Sequence, residues 1–183
     1  MPLKTLVKVG SLTNLSDARY CAGMDVQLLG FQTIPEAAAH ITPARYQEIR
    51  GWISGPSIVA EVHGARTREQ IDAIVEAYRP DFVELGPAEL PLVGHLSLPV
   101  ILRLEPNESI EMTPPPAYVL TNVSDGRTFD VPAIVKVSSV REAEMVLQRK
   151  NVKGIALLGG EELSPGLKTY DSLAPILESL EEY

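Results

Sequence analysis

Short β-branched runs alternate with amphipathic stretches along the whole chain. That is the rhythm of parallel βα units rather than of a sandwich or a helical bundle. The runs that predict strands are Leu6–Val9, Val26–Phe31, Ser57–Val62, Phe82–Leu85, Val100–Leu104, Ala117–Leu120, Ile134–Val137 and Gly154–Leu158. Eight parallel strands close as a barrel or lie open as a doubly wound sheet. No Gly-rich dinucleotide fingerprint follows any of these strands, which removes the best sign of the open form. The expected fold is α/β, a (β/α)8 TIM barrel formed by residues 1–183 as a single domain.

The intervening helices are marked by their caps. Thr42 precedes Pro43, whose missing N–H is harmless in the first helical position, and that helix is expected to run to about Trp52. A helix from about Thr67 places Ile71, Ile74, Val75 and Tyr78 on one stripe, and one from about Ser172 repeats the spacing with Leu173, Ile176, Leu177 and Leu180. Ser138 or Ser139 caps a helix carrying Val140, Ala143 and Leu147, and Asn14 or Ser16 opens a short one around Ala18 and Ala22. Two connections break the rhythm. Segment 87–98 is barely helical, and segment 105–116 ends in Thr-Pro-Pro-Pro, which forbids a helix interior. The barrel is therefore expected to be trimmed, with the helices after strands four and five shortened or missing. This accounts for a length of 183 residues where such barrels usually need about 200 or more.

Composition narrows the function. A formal charge of −8 with no basic stripe argues against a nucleic-acid partner. No apolar run is long enough to span a bilayer and no signal-like leader opens the chain, so a cytoplasmic protein without a membrane partner is expected. One cysteine, Cys21, and three histidines give no metal-ligand spacing, and neither a metal nor a cofactor is expected.

Charged residues interrupt the strands themselves: Lys8, Glu61, Glu84, Arg103 and Lys136, each between apolar neighbours. Buried charge is costly unless paired, so these groups are expected to pair. Alternation would point them along the barrel axis, with His63 and Asp125 at the rim. Such a set either fills the interior as an ion network or forms a pocket for a small anionic or zwitterionic ligand. Lys136, at the end of strand seven in apolar company, is also a candidate Schiff-base nucleophile, because desolvation would lower its pKa.

Reading outward from strand one, Lys8-Val9-Gly10-Ser11-Leu12-Thr13, then Asp17-Ala18 and Gly30-Phe31, resembles the opening signature of the phosphoribosylanthranilate isomerase family, Lys-Ile-Cys-Gly-Ile-Thr, Asp-Ala and Gly-Phe. Further similarities follow in order: Pro35 with Ile41-Thr42-Pro43, then Thr128-Phe129-Asp130, then Gly160, Glu162 and Pro165-Gly166. The resemblance implies an isomerase of tryptophan biosynthesis that performs an Amadori rearrangement with a general acid and a general base at the strand C-termini. It places the family's base cysteine at Gly10, its acid aspartate at Thr121 and a phosphate-binding arginine at Ala39. None of these three can do that work, and losing an acid or a base forfeits about 100-fold to 10,000-fold in rate each. A pseudoenzyme is therefore expected, with Ser11 or Asp125 as the stand-ins if the chemistry has moved. The resemblance also places phosphate at the turns after strands seven and eight, here Ser138 and Gly159-Gly160, where Glu161 adds an opposing charge. Ligand candidates are thus Lys8, Glu61, His63, Glu84, Arg103, Asp125, Lys136, Ser138, Gly159 and Gly160. The partner expected is a small anionic or phosphorylated metabolite. The shaved loops also leave flanks on which a second copy could dock as a homodimer.

Overall fold

The computed structural model describes residues 3–109, 113–159, 162–164, 167–168 and 173–181. Eight strands pair in chain order, all parallel: β1 (Leu6–Gly10), β2 (Leu28–Gln32), β3 (Ser57–Glu61), β4 (Phe82–Leu85), β5 (Val100–Arg103), β6 (Tyr118–Asn122), β7 (Ala133–Lys136) and β8 (Val152–Leu158). β8 returns to pair with β1 and closes the barrel. A two-stranded antiparallel ribbon, β9 (Glu162–Ser164) with β10 (Leu167–Lys168), follows β8.

The period of two sorts each strand between two cores. Outward residues such as Val7, Val9, Leu29, Phe31, Val83 and Ile155 join the core beneath the helices. Inward residues Leu28, Val59, Ile101, Leu120, Ile134 and Ala156 form a second, smaller cluster, with Leu6, Phe82 and Tyr118 packed on it at the strand N-termini. The N-terminal half of the interior is therefore apolar, and charge is confined to the C-terminal half.

The helices are α1 (Leu15–Gly23), α2 (Pro43–Arg50), α3 (Arg68–Tyr78), α4 (Leu90–Val93), α5 (Val140–Leu147) and α6 (Ala174–Ser179). Four start where a side-chain oxygen captures an orphaned N–H: Asn14 accepts from Asp17, Thr42 from Arg45, Thr67 from Gln70 and Ser139 from Glu142. α2 ends at Arg50, short of the expected Trp52, which stands exposed beyond it. β2 starts two residues later than its apolar run. Asp25 turns through a left-handed φ of 55° and the Val26 N–H goes back to the Cys21 carbonyl, so Val26 finishes α1 instead of opening the strand.

Trimming extends further than the sequence indicates. After β4 stand one 3-10 turn (Pro87–Glu89) and the four-residue α4, and no helix follows β5 among the described residues. The β6–β7 connection, residues 123–132, also lacks a helix. Two arginines brace the bared backbone: Arg149 donates to the carbonyls of Val123 and Asp125, and Arg127 to those of Glu105 and Glu108. Among the described residues no helix is long and apolar enough to cross a membrane.

Candidate functional site

The inward positions at the C-terminal ends of the strands surround a cavity of about 320 Å³. Its polar lining comes from β1 (Lys8), the β1 turn (Ser11), β2 (Gln32), β3 (Glu61), His63 just beyond β3, β4 (Glu84), β5 (Arg103), β7 (Lys136), and Ser138 and Glu142 at the start of α5. Gly10, Leu120, Val123, Val137, Ala156, Leu157 and Leu158 complete it. Ser11, the stand-in base the sequence offered, is in this lining; Gln32 and Glu142 were not singled out from the sequence. Gln32 was within reach, since it lies two residues past inward Gly30. Glu142 needed the knowledge that the first turn of α5 leans into the mouth.

One side of the cavity floor is a closed ion network. Lys8 Nζ lies 2.7 Å from Glu61 Oε1 and 2.6 Å from Glu84 Oε2, and all three residues are buried. Burial by itself would lower the Lys8 pKa, but the two carboxylates outweigh it and hold the ammonium above its ordinary value. Glu84 shows the reverse balance: burial raises its pKa, while the Lys8 charge and His63 pull it down, to about 2. His63 Nε2 sits 3.0 Å from Glu84 Oε1. Glu61 additionally accepts from the Ser11 N–H, at 3.2 Å to each carboxylate oxygen, and from the Ser11 hydroxyl at 3.1 Å. Ser11 takes a left-handed φ of 55° at the position where the resembling signature has glycine, and its bonds to Glu61 offset that strain.

Two glycines make room for this network. A Cβ on Gly30 would stand 2.2 Å from Glu61 Oε1 and 3.0 Å from Lys8 Nζ. A Cβ on Gly10 would stand 2.6 Å and 2.8 Å from the same two atoms. Either methyl would collide with a buried, paired charge.

The opposite side is open. Arg103 donates to Glu105 Oε1 at 3.3 Å from Nε and 3.2 Å from Nη2, in a pair that is more than a third exposed on both sides. Lys136, half-buried, has no hydrogen-bond or ion-pair partner among the described residues. Burial, and after it the neighbouring Arg103 charge, lower its pKa against the opposing pull of the Glu84 and Glu105 carboxylates. Ser138 presents its N–H and hydroxyl to the mouth, but both donate to Glu142 Oε2, at 2.7 and 2.8 Å, and these bonds hold the Glu142 carboxyl below its usual range.

Other expected site residues lie elsewhere. Asp125 is not in the cavity lining. It is buried against Arg127, whose Nε reaches both its carboxylate oxygens at 2.9 and 3.1 Å, and these bonds, against burial, hold it far below the carboxylate range. Thr121 faces outward and donates to Asp125 Oδ2 at 2.8 Å; the inward residue at this end of β6 is Asn122, which donates to Glu105. The Gly159 N–H is taken by the Gly10 carbonyl at 2.8 Å, so it offers no donor to an anion. Gly160 and Glu161 fall outside the described residues.

No protein-family model and no curated protein sequence matches the chain. Solved structures do. Phosphoribosyl anthranilate isomerase from Thermus thermophilus superposes with a TM-score of 0.73 at 20% identity, over 96% of this chain and 98% of that one. The Thermotoga maritima enzyme gives 0.73 at 18% identity, again over 96% and 98%. A phosphoribosyl anthranilate isomerase in complex with reduced 1-(o-carboxyphenylamino)-1-deoxyribulose 5-phosphate gives 0.72 at 18% identity, over 95% and 97%. In strand order, closure and extent, the chain has the fold of phosphoribosylanthranilate isomerase.

Proposed function

We propose that this barrel binds a small anionic metabolite at its mouth and does not catalyse the isomerisation performed by the enzymes whose fold it shares. The observation that carries this reading is the state of Gly10. The resemblance puts the general base there, yet even a Cβ at that position would come within 2.6 Å of Glu61 Oε1. The space a catalytic side chain needs is already taken by a buried ion pair. Thr121, aligned with the acid, is an alcohol that faces away from the cavity and is bonded to Asp125. Ala39, aligned with a phosphate-binding arginine, does not line the cavity either. An anion would be drawn to the β5–β7 side, where Lys136 makes no ion pair among the described residues and Arg103 shares an exposed carboxylate.

One observation favours a second reading, an active isomerase of tryptophan biosynthesis with relocated groups. The Glu61 carboxylate stands where the missing base would project, and so is a substitute base. Its engagement by Lys8 and by both Ser11 donors weighs against that role. The two readings separate in a tryptophan auxotroph lacking the isomerase. We expect this gene to leave the strain auxotrophic while a genuine isomerase gene restores growth. Restored growth would overturn the proposal.

A further inference from the structure

We propose that Lys136 is an imine-forming amine, and that the cavity takes a small carbonyl compound bearing a carboxylate, the chemical class of the 2-oxo acids. The proposal rests on reading the mouth as an anion site and goes beyond it by naming the ligand's reactive group.

The two cavity lysines are opposites. Lys8 lies between two carboxylates at 2.7 and 2.6 Å and is locked as an ammonium with no lone pair to offer. Lys136 closes β7, projects into the same cavity, is half-buried beside Leu120 and Ala156, and has no direct partner among the described residues. Burial and the nearby guanidinium outweigh the more weakly acting Glu84 and Glu105 carboxylates and favour its neutral form, which is the nucleophile. The same guanidinium gives the ligand's carboxylate a planar two-point contact. Arg103 can exchange one exposed partner, Glu105, for another at little cost, since exposed pairs are weak. A phosphate is the poorer match: the Ser138 donors are already held by Glu142, and Glu61 and Glu84 oppose a doubly charged group. A cavity of about 320 Å³ has room for such a ligand.

The chemistry balances without a co-reactant. The neutral Lys136 amine attacks the carbonyl carbon, a C–N bond forms, and the nitrogen's proton passes through solvent to the former carbonyl oxygen. The carbinolamine then breaks its C–O bond and the oxygen leaves as water. Overall, ammonium and carbonyl become protonated imine and water.

The test treats the full chain with pyruvate and sodium cyanoborohydride, followed by intact mass and peptide mapping. We expect one reduced pyruvate adduct, located on Lys136, and none in Lys136→Arg at an unchanged melting temperature. Absence of an adduct, or adducts spread at equal rates over the exposed Lys4, Lys150 and Lys153, overturns the proposal. A pyruvate-dependent rise in melting temperature without an adduct also overturns the imine but leaves the anion site standing. Failure of the anion reading itself would show as neither effect.

Discussion

The half of the barrel mouth built by β1–β4 and the half built by β5–β7 carry the same kinds of charge in opposite states. In the first, Lys8, Glu61, Glu84, His63 and Ser11 satisfy one another, and each connection up to β4 carries a helix of eight residues or more. In the second, no helix follows β5 or β6 among the described residues, Arg103 leans on an exposed carboxylate, and Lys136 has no direct partner. A desolvated charge must be neutralised from within the protein, so the deep half is committed to structure. A charge at the edge of water can wait for a ligand. We read the first half as framework, and the second is the part we propose as the binding surface.

The largest effect should come from cutting the framework. Lys8→Met leaves two buried carboxylates facing each other and should cost about 3–5 kcal/mol in urea unfolding. A loss no larger than that of an exposed lysine would break the comparison. Acid should reveal the same network. Glu84 is held from an ordinary 4.5 down to about 2 in the folded chain. Its contribution, on the order of 3 kcal/mol, is complete above the unfolded value and drains away as pH falls through the folded one. Glu84→Gln should flatten the fall in melting temperature across that acid window. Gly30→Ala, whose methyl would stand 2.2 Å from Glu61 Oε1, should cost about 1–3 kcal/mol. Gly23→Ala, with open space around the new methyl, serves as its control.

The caps and stripes that made these helices were legible because they are local: Asn14, Thr42, Thr67 and Ser139 each act within three residues. That buried charges within strands pair was legible for Lys8, Glu61 and Glu84, from the cost of burying them; Lys136, only half-buried, departs from it and has no direct partner among the described residues. Which pairs with which was not legible. Lys8 meets Glu61 and Glu84 only because closure of the barrel turns these three side chains into one cavity, and Arg103 and Lys136 miss them only because the same geometry puts them across it. The outward turn of Thr121 and the capture of Asp125 by Arg127 likewise depend on register and on a helix-free loop that no cap residue announces.

On the open side the effects should be small in stability and visible in binding. Lys136→Met should change unfolding free energy by no more than about 0.5 kcal/mol and abolish any thermal shift produced by pyruvate. Smallest of all, Glu142→Ala frees the Ser138 N–H and hydroxyl, and should convert an indifferent response to inorganic phosphate into a detectable rise in melting temperature.

The most direct test follows the fluorescence of phosphoribosylanthranilate in a single turnover, with the purified chain in excess over substrate. The account predicts decay no faster than in protein-free buffer. Conversion to product that Glu61→Gln abolishes would contradict it, and would make the carboxylate beside Gly10 the working base.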